Sequence, residues 1–204
     1  MSVNPITLAI DTAAPRLQLA LLLADGSADV SVDAIATGHA ELIFARIASL
    51  LARNELTYAD LERIAVTTGP GSFTGLRIGL SAARGFGLAR AIPVLGVPSL
   101  LAISLSAAEG PVTVLLDARR DEAYFQLFGA PGVPMLPPQI LPMAVAQAGV
   151  IPGSTLLESP FVDIALVARY AAAADPNTHS PEAAYVRSAD AKPQSAARIA
   201  RVTP

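Results

Sequence analysis

The segment Thr68-Gly69-Pro70-Gly71-Ser72-Phe73-Thr74-Gly75 constrains this chain more than any other, because of what flanks it. Residues 64–67 form a short apolar run of the kind that makes a buried strand, and from Leu76 the apolar residues recur at helical spacing to about Ala91. Strand, glycine-rich turn and helix in that order call for a crossover in an α/β sheet, and the free amides heading such a helix favour an anion. The spacing excludes the two familiar nucleotide loops. A Walker loop ends in Gly-Lys-Ser/Thr, whereas Gly75 is followed by Leu76 and Arg77. A dinucleotide loop runs Gly-x-Gly-x-x-Gly with an acidic residue about 20 positions on, and neither feature is present. Pro70 further removes one donor. Two readings stay open, a remnant phosphate turn and a purely structural tight turn.

Upstream, alternation predicts strands over 6–10, 17–23 and 28–36, with Asp25-Gly26 as a two-residue hairpin turn. Apolar residues at helical spacing then predict an amphipathic helix over 39–53, and 57–62 reads as a polar connection or short helical turn. The order β-β-β-α-β-α is that of an actin-like (ASKHA) or ribonuclease H-like lobe, an α/β fold. Downstream come a strand over 94–97, a helix over 99–108 capped by Ser99, and a strand pair over 112–117 and 123–128. The proline-rich stretch 129–142 reads as a loop or edge excursion, 155–158 as a strand and 161–174 as a helix. The expected division is a first lobe over 1–108, a reduced second lobe over 109–188 and a flexible tail over 189–204.

Charge and composition remove several functions. With 14 basic and 17 acidic residues among 204, the net charge is −3, and only Lys192 among the cations is not Arg. Scattered cations do not make a phosphate-tracking surface, so tRNA is expected only through a complex. A 52% hydrophobic and 15% charged chain builds a globular core. No apolar run reaches the roughly 18 residues of a membrane span, and no export signal is legible, so a cytoplasmic location is expected. The absence of cysteine removes thiolate chemistry, and His39 and His179 share no helical face, so no metal site is expected.

Asp11-Thr12 ends the first strand, where a carboxylate in an actin-like lobe can hold a hydrated metal beside phosphates; the plainer role is capping a turn. Ala13-Ala14-Pro15 lacks the glycines a phosphate would need. Asp11, Thr12, Gly69, Gly71, Ser72 and Thr74 are therefore the candidates for a vestigial nucleotide turn. The second helix stacks Gly75, Gly79, Ala82, Ala83 and Phe86 along one side, and helical glycine costs stability unless another backbone comes close. That backbone belongs either to the sheet below or to a helix across an interface. With His39, Leu42, Ile43, Ile47 and Leu50 of the first helix and Leu76 of the second, these residues are the candidate partner interface, a four-helix contact. On that reading Gly79→Arg abolishes dimerisation and leaves the fold intact.

Leu8-Ala9-Ile10-Asp11-Thr12-Ala13, His39-Ala40-Glu41 and the stretch from Thr68 to Gly79 resemble the TsaB family, also called YeaZ. Gly96-Val97-Pro98-Ser99-Leu100, Asp117-Ala118-Arg119 and Tyr185-Val186-Arg187 continue the resemblance in the family's order. It implies a two-lobed actin-like fold and a non-catalytic dimerisation subunit in tRNA threonylcarbamoyladenosine synthesis. The catalytic relative, TsaD, holds a metal through a His-x-x-x-His motif that is missing here. The implied partners are a TsaD-type subunit, met through the helices at 40–51 and 76–88, and a TsaE-type ATPase, with a homodimer when the chain is alone. ATP and Mg would then enter only in the complex. Arg77 and Arg119 would touch nucleotide or partner. The alternative is a small actin-like ATPase or sugar/acyl kinase, with Asp11 on Mg²⁺ and the glycine turn on a phosphate.

Overall fold

The computed structural model describes residues 4–184; the expected tail over 189–204 and Tyr185-Val186-Arg187 lie outside the described residues. Strands β1 (Thr7–Asp11), β2 (Leu17–Leu22) and β3 (Ala28–Asp33) form an antiparallel meander. β4 (Arg63–Thr67) and β5 (Val94–Val97) add parallel to β1, giving the order β3-β2-β1-β4-β5. α1 (His39–Arg53) links β3 to β4, and α2 (Phe73–Arg90) links β4 to β5. The pleat sends alternate side chains of the sheet to opposite faces. Leu8, Ile10, Ile64 and Val66 pack with Ile43, Ile47 and Leu50 of α1 and Leu80 of α2, while Ala9, Ala20 and Ala65 turn to the other face. Those small residues let α5 (Ile164–Ala173), with Ala168 and Ala171 buried, lie close against the sheet. Covered on both faces, β2 is buried along its whole length.

The second sheet runs β10-β6-β7, from β10 (Thr155–Leu157), β6 (Val112–Arg119) and β7 (Glu122–Ala130), with β8 (Val133–Pro134) and β9 (Gln139–Pro142) both on β7. Val112, Val114, Leu116 and Phe128 join α3 (Ser99–Ser104), α5 and the alanine face of the first sheet in one core. Leu115 and Phe125 turn the other way, onto α4 (Met143–Ala148).

Several expectations change. The 129–142 stretch contributes β8 and β9 to the sheet, and α4 follows it; the prolines sit at strand ends or on exposed edges, where no ladder donor is needed. α5, expected in the second lobe, lies on the first sheet, so the chain returns to its starting layer. Ser99 does not cap α3: Pro98 stands at the cap position and the Ser99 hydroxyl is buried without a partner. The hairpin at Asp25-Gly26 has three loop residues, not two. Leu23 N–H donates to the Ser27 carbonyl at 2.9 Å, and only Gly26 takes a positive φ, 86°.

Candidate functional site

Two regions collect the residues singled out above: the turn where β1 meets the head of α2, and the outer face of α1 and α2.

At the turn, Asp11 is 1% exposed. Its carboxylate accepts from the Thr67 hydroxyl at 2.6 Å, the Gln18 amide at 3.0 Å and the Ala13 N–H at 3.1 Å. Burial pushes the Asp11 carboxyl above its usual 3.8, against the opposing pull of those three hydrogen bonds and of the charge of His39. Both oxygens are thus engaged inside the protein. The glycines are equally occupied: a Cβ on Gly71 would meet the Ala13 carbonyl oxygen at 2.6 Å, and one on Gly79 the Thr12 hydroxyl at 2.5 Å. Ser72 caps α2 by accepting from Gly75 N–H, its own N–H donates to the Ala13 carbonyl at 2.7 Å, and the Gly69 carbonyl accepts from Ser99 N–H at 2.8 Å. The Gly69-Pro70 peptide is cis. The loop's close approach is therefore to this chain's own β1–β2 turn. A magnesium nucleotide, which an actin-like lobe implies, does not fit at Asp11.

Beside it lies a cleft of about 550 Å³, with Gly71, Ser72, Ser99, Asp117, Arg119 and Glu158 among its lining residues. Arg119 reaches it from the β6–β7 tip, where Arg119, Arg120 and Asp121 all take positive φ. Among the described residues no group of three His, Asp or Glu side chains gathers as metal ligands.

The outer face corrects the interface expectation. Ile43, Ile47 and Leu50 have no exposed surface, and His39, Gly75, Leu76, Gly79, Ala82 and Ala83 are also buried. The glycines of α2 admit the sheet and the β1–β2 turn, so Gly79→Arg would strike the fold itself. Leu42 is half-buried against the core. What faces outward is Phe44 and Phe73, each 54% exposed, and Leu88, 88% exposed. Phe86, half-buried, stacks on Tyr58 at 5.3 Å and meets Phe44 edge-on at 5.8 Å. Between the helices lies a groove of about 450 Å³ with Ile43 and Ala82 in its lining and Phe44, Phe73, Thr74 and Arg77 around it. Thr74, a candidate for the vestigial nucleotide turn, lies in the lining of this groove. Sequence reasoning missed Phe44 and Phe73. The signal was present, since Phe44 directly follows Ile43 and so falls off the buried stripe of α1.

A family model described as TsaD, tRNA N6-adenosine threonylcarbamoyltransferase, matches residues 33–130. An uncharacterized protein of Mycobacterium tuberculosis is 40% identical over 153 residues, covering 73% of this chain and 69% of that protein. The tRNA threonylcarbamoyladenosine biosynthesis protein TsaB of Escherichia coli is 34% identical over 122 residues, 58% of this chain and 52% of that protein; its Bacillus subtilis counterpart is 32% identical over 123 residues, covering 59% and 54%. Those matches span about half the length of the TsaB proteins. Among solved structures, YeaZ from Pseudomonas aeruginosa superimposes with a TM-score of 0.72 at 20% identity, over 89% of this chain and 99% of that one.

Proposed function

We propose that this chain, which belongs to the TsaB (YeaZ) family, acts in tRNA threonylcarbamoyladenosine biosynthesis as a non-catalytic subunit, seating a TsaD-type catalytic subunit on α1 and α2. The observation that carries the reading is the pairing of an exposed aromatic face, Phe44 and Phe73, with a nucleotide turn closed by the chain's own backbone. Exposed aromatics on neighbouring helices mark a contact surface. A carboxylate whose oxygens already accept three internal hydrogen bonds is a poor ligand for Mg²⁺.

Sequence supports the same division of labour. A His-x-x-x-His pair beginning at His39 needs its second histidine at position 43, and Ile43 stands there, wholly buried. A TsaE-type ATPase would supply the nucleotide chemistry, and ATP and Mg belong to the complex. Alone, the chain would cover the same face by pairing with itself. The tRNA would be met through the complex, in the cytoplasm; no helix among the described residues is long and apolar enough to cross a membrane.

The test is transfer of the threonylcarbamoyl group from its adenylate to tRNA by the TsaD-type and TsaE-type subunits of the same organism, with and without this chain. We expect modification only when the chain is present and none from the chain alone. Full activity without it would overturn the reading, as would tight Mg-ATP binding by the isolated chain that Asp11→Ala abolishes in a variant whose circular dichroism is unchanged.

A further inference from the structure

We propose that Arg77 decides which chain occupies the α1–α2 groove: it fits an apolar helix of a different protein bearing a carboxylate opposite the guanidinium, and it disfavours a second copy of this chain. The inference rests on the reading of α1 and α2 as the partner surface.

Arg77 is exposed on α2, with its guanidinium carbon 3.9 Å from the centre of the Phe73 ring. Contact with the ring restrains the group, yet a ring face takes up none of the hydrogen-bonding capacity of its five N–H donors as a carboxylate would. Other cations of the two helices are tied back: Arg46 to Asp33, Arg53 to Asp29, Arg84 to the Pro181 carbonyl and Arg90 to the Ala59 carbonyl. Among the described residues Arg77 has no such carboxylate. It is also the one charged residue in the groove lining. Whatever covers the groove therefore desolvates a cation. An all-apolar helix would strand it, and a carboxylate at the matching position would satisfy it.

The same accounting separates self from non-self. A two-fold pair presents the same patch from both sides, so a second copy brings a second Arg77 and a lining with no acidic residue. A foreign helix is free to bring the missing carboxylate.

The experiment measures affinity of the full chain for the TsaD-type subunit of its organism by titration calorimetry at several salt concentrations, and self-association by sedimentation. Arg77→Gln should weaken the heterodimer about 30-fold and flatten its salt dependence, leaving the homodimer unchanged or tighter. Arg77→Lys, which keeps the charge, should recover most of the affinity lost in Arg77→Gln. Arg77→Glu should weaken it further and be rescued by an Arg at the partner's carboxylate. An unchanged heterodimer in Arg77→Gln, while Phe44→Asp abolishes it, overturns the selection by Arg77 and leaves the face standing. No effect of Phe44→Asp overturns the face and the proposal together. Equal weakening of both dimers by Arg77→Gln overturns the discrimination.

Discussion

Gly75 and Thr12 pack directly together: the Thr12 hydroxyl donates to the Gly75 carbonyl at 2.7 Å, and a Cβ on Gly75 would overlap the Thr12 carbonyl oxygen. No side-chain rotation relieves that overlap, because both atoms are fixed by main chain. Gly75→Ala should therefore destabilise the fold by about 1–3 kcal/mol, the range of overpacked cores. Urea denaturation checks it, with an unchanged midpoint as the contrary result.

Gly79 and Gly85 lie on one helix and should respond with opposite sign. Gly79→Arg should fail to fold, since its first side-chain carbon would sit 2.5 Å from the Thr12 hydroxyl. Nothing lies within 4 Å of the position a Gly85 Cβ would take. Gly85→Ala should therefore stabilise the chain by about 0.5–1 kcal/mol through helix propensity. Thermal melts of the two variants distinguish them.

Burial raises the folded-state value for Asp11, so between the ordinary 3.8 and that raised value the native state binds more protons than the unfolded chain. Stability from this group is present below the ordinary value and is lost as pH rises through the folded one. Wild type should therefore lose stability relative to Asp11→Asn as pH is raised above about 4, and the difference should then level off. Chemical denaturation across that range measures it; a difference moving the other way refutes the assignment.

Arg63 closes the end of α5. Its Nη1 donates to the carbonyls of Ala171 at 2.6 Å, Ala172 at 3.1 Å and Ala174 at 2.8 Å, which no helical N–H reaches. Arg63→Met keeps the aliphatic stem and removes the donors, so we expect a cost of about 1–3 kcal/mol. Amide exchange should quicken in the last turn of α5 first.

Phe44→Ala should leave the melting temperature within a few degrees of wild type, because its ring is more than half exposed. Affinity for a TsaD-type subunit should fall about tenfold or more, as for an interface anchor. Pull-down and calorimetry with the purified subunit decide it.

By itself the sequence determined the strand and helix order of the first sheet, including α1 over His39–Arg53, because period-2 and period-3.6 patterns are local properties of the chain. It also located the turn at Gly69 to Gly75 and showed that another backbone must come close to the glycines of α2. Which backbone that was, only tertiary structure decided. An apolar or small residue reads the same whether it meets its own sheet or another protein, so Ile43, Ile47, Leu50 and Gly79 were legible as contact residues, with the sheet below and a helix across an interface both left open. The return of α5 to the first sheet and the pairing of β9 with β7 were likewise beyond a local pattern, since they join residues far apart in the chain. Exposure is set by what the fold leaves uncovered, and for that reason Phe44, Phe73 and Arg77 came to light as one groove only when α1 and α2 were laid side by side on the sheet.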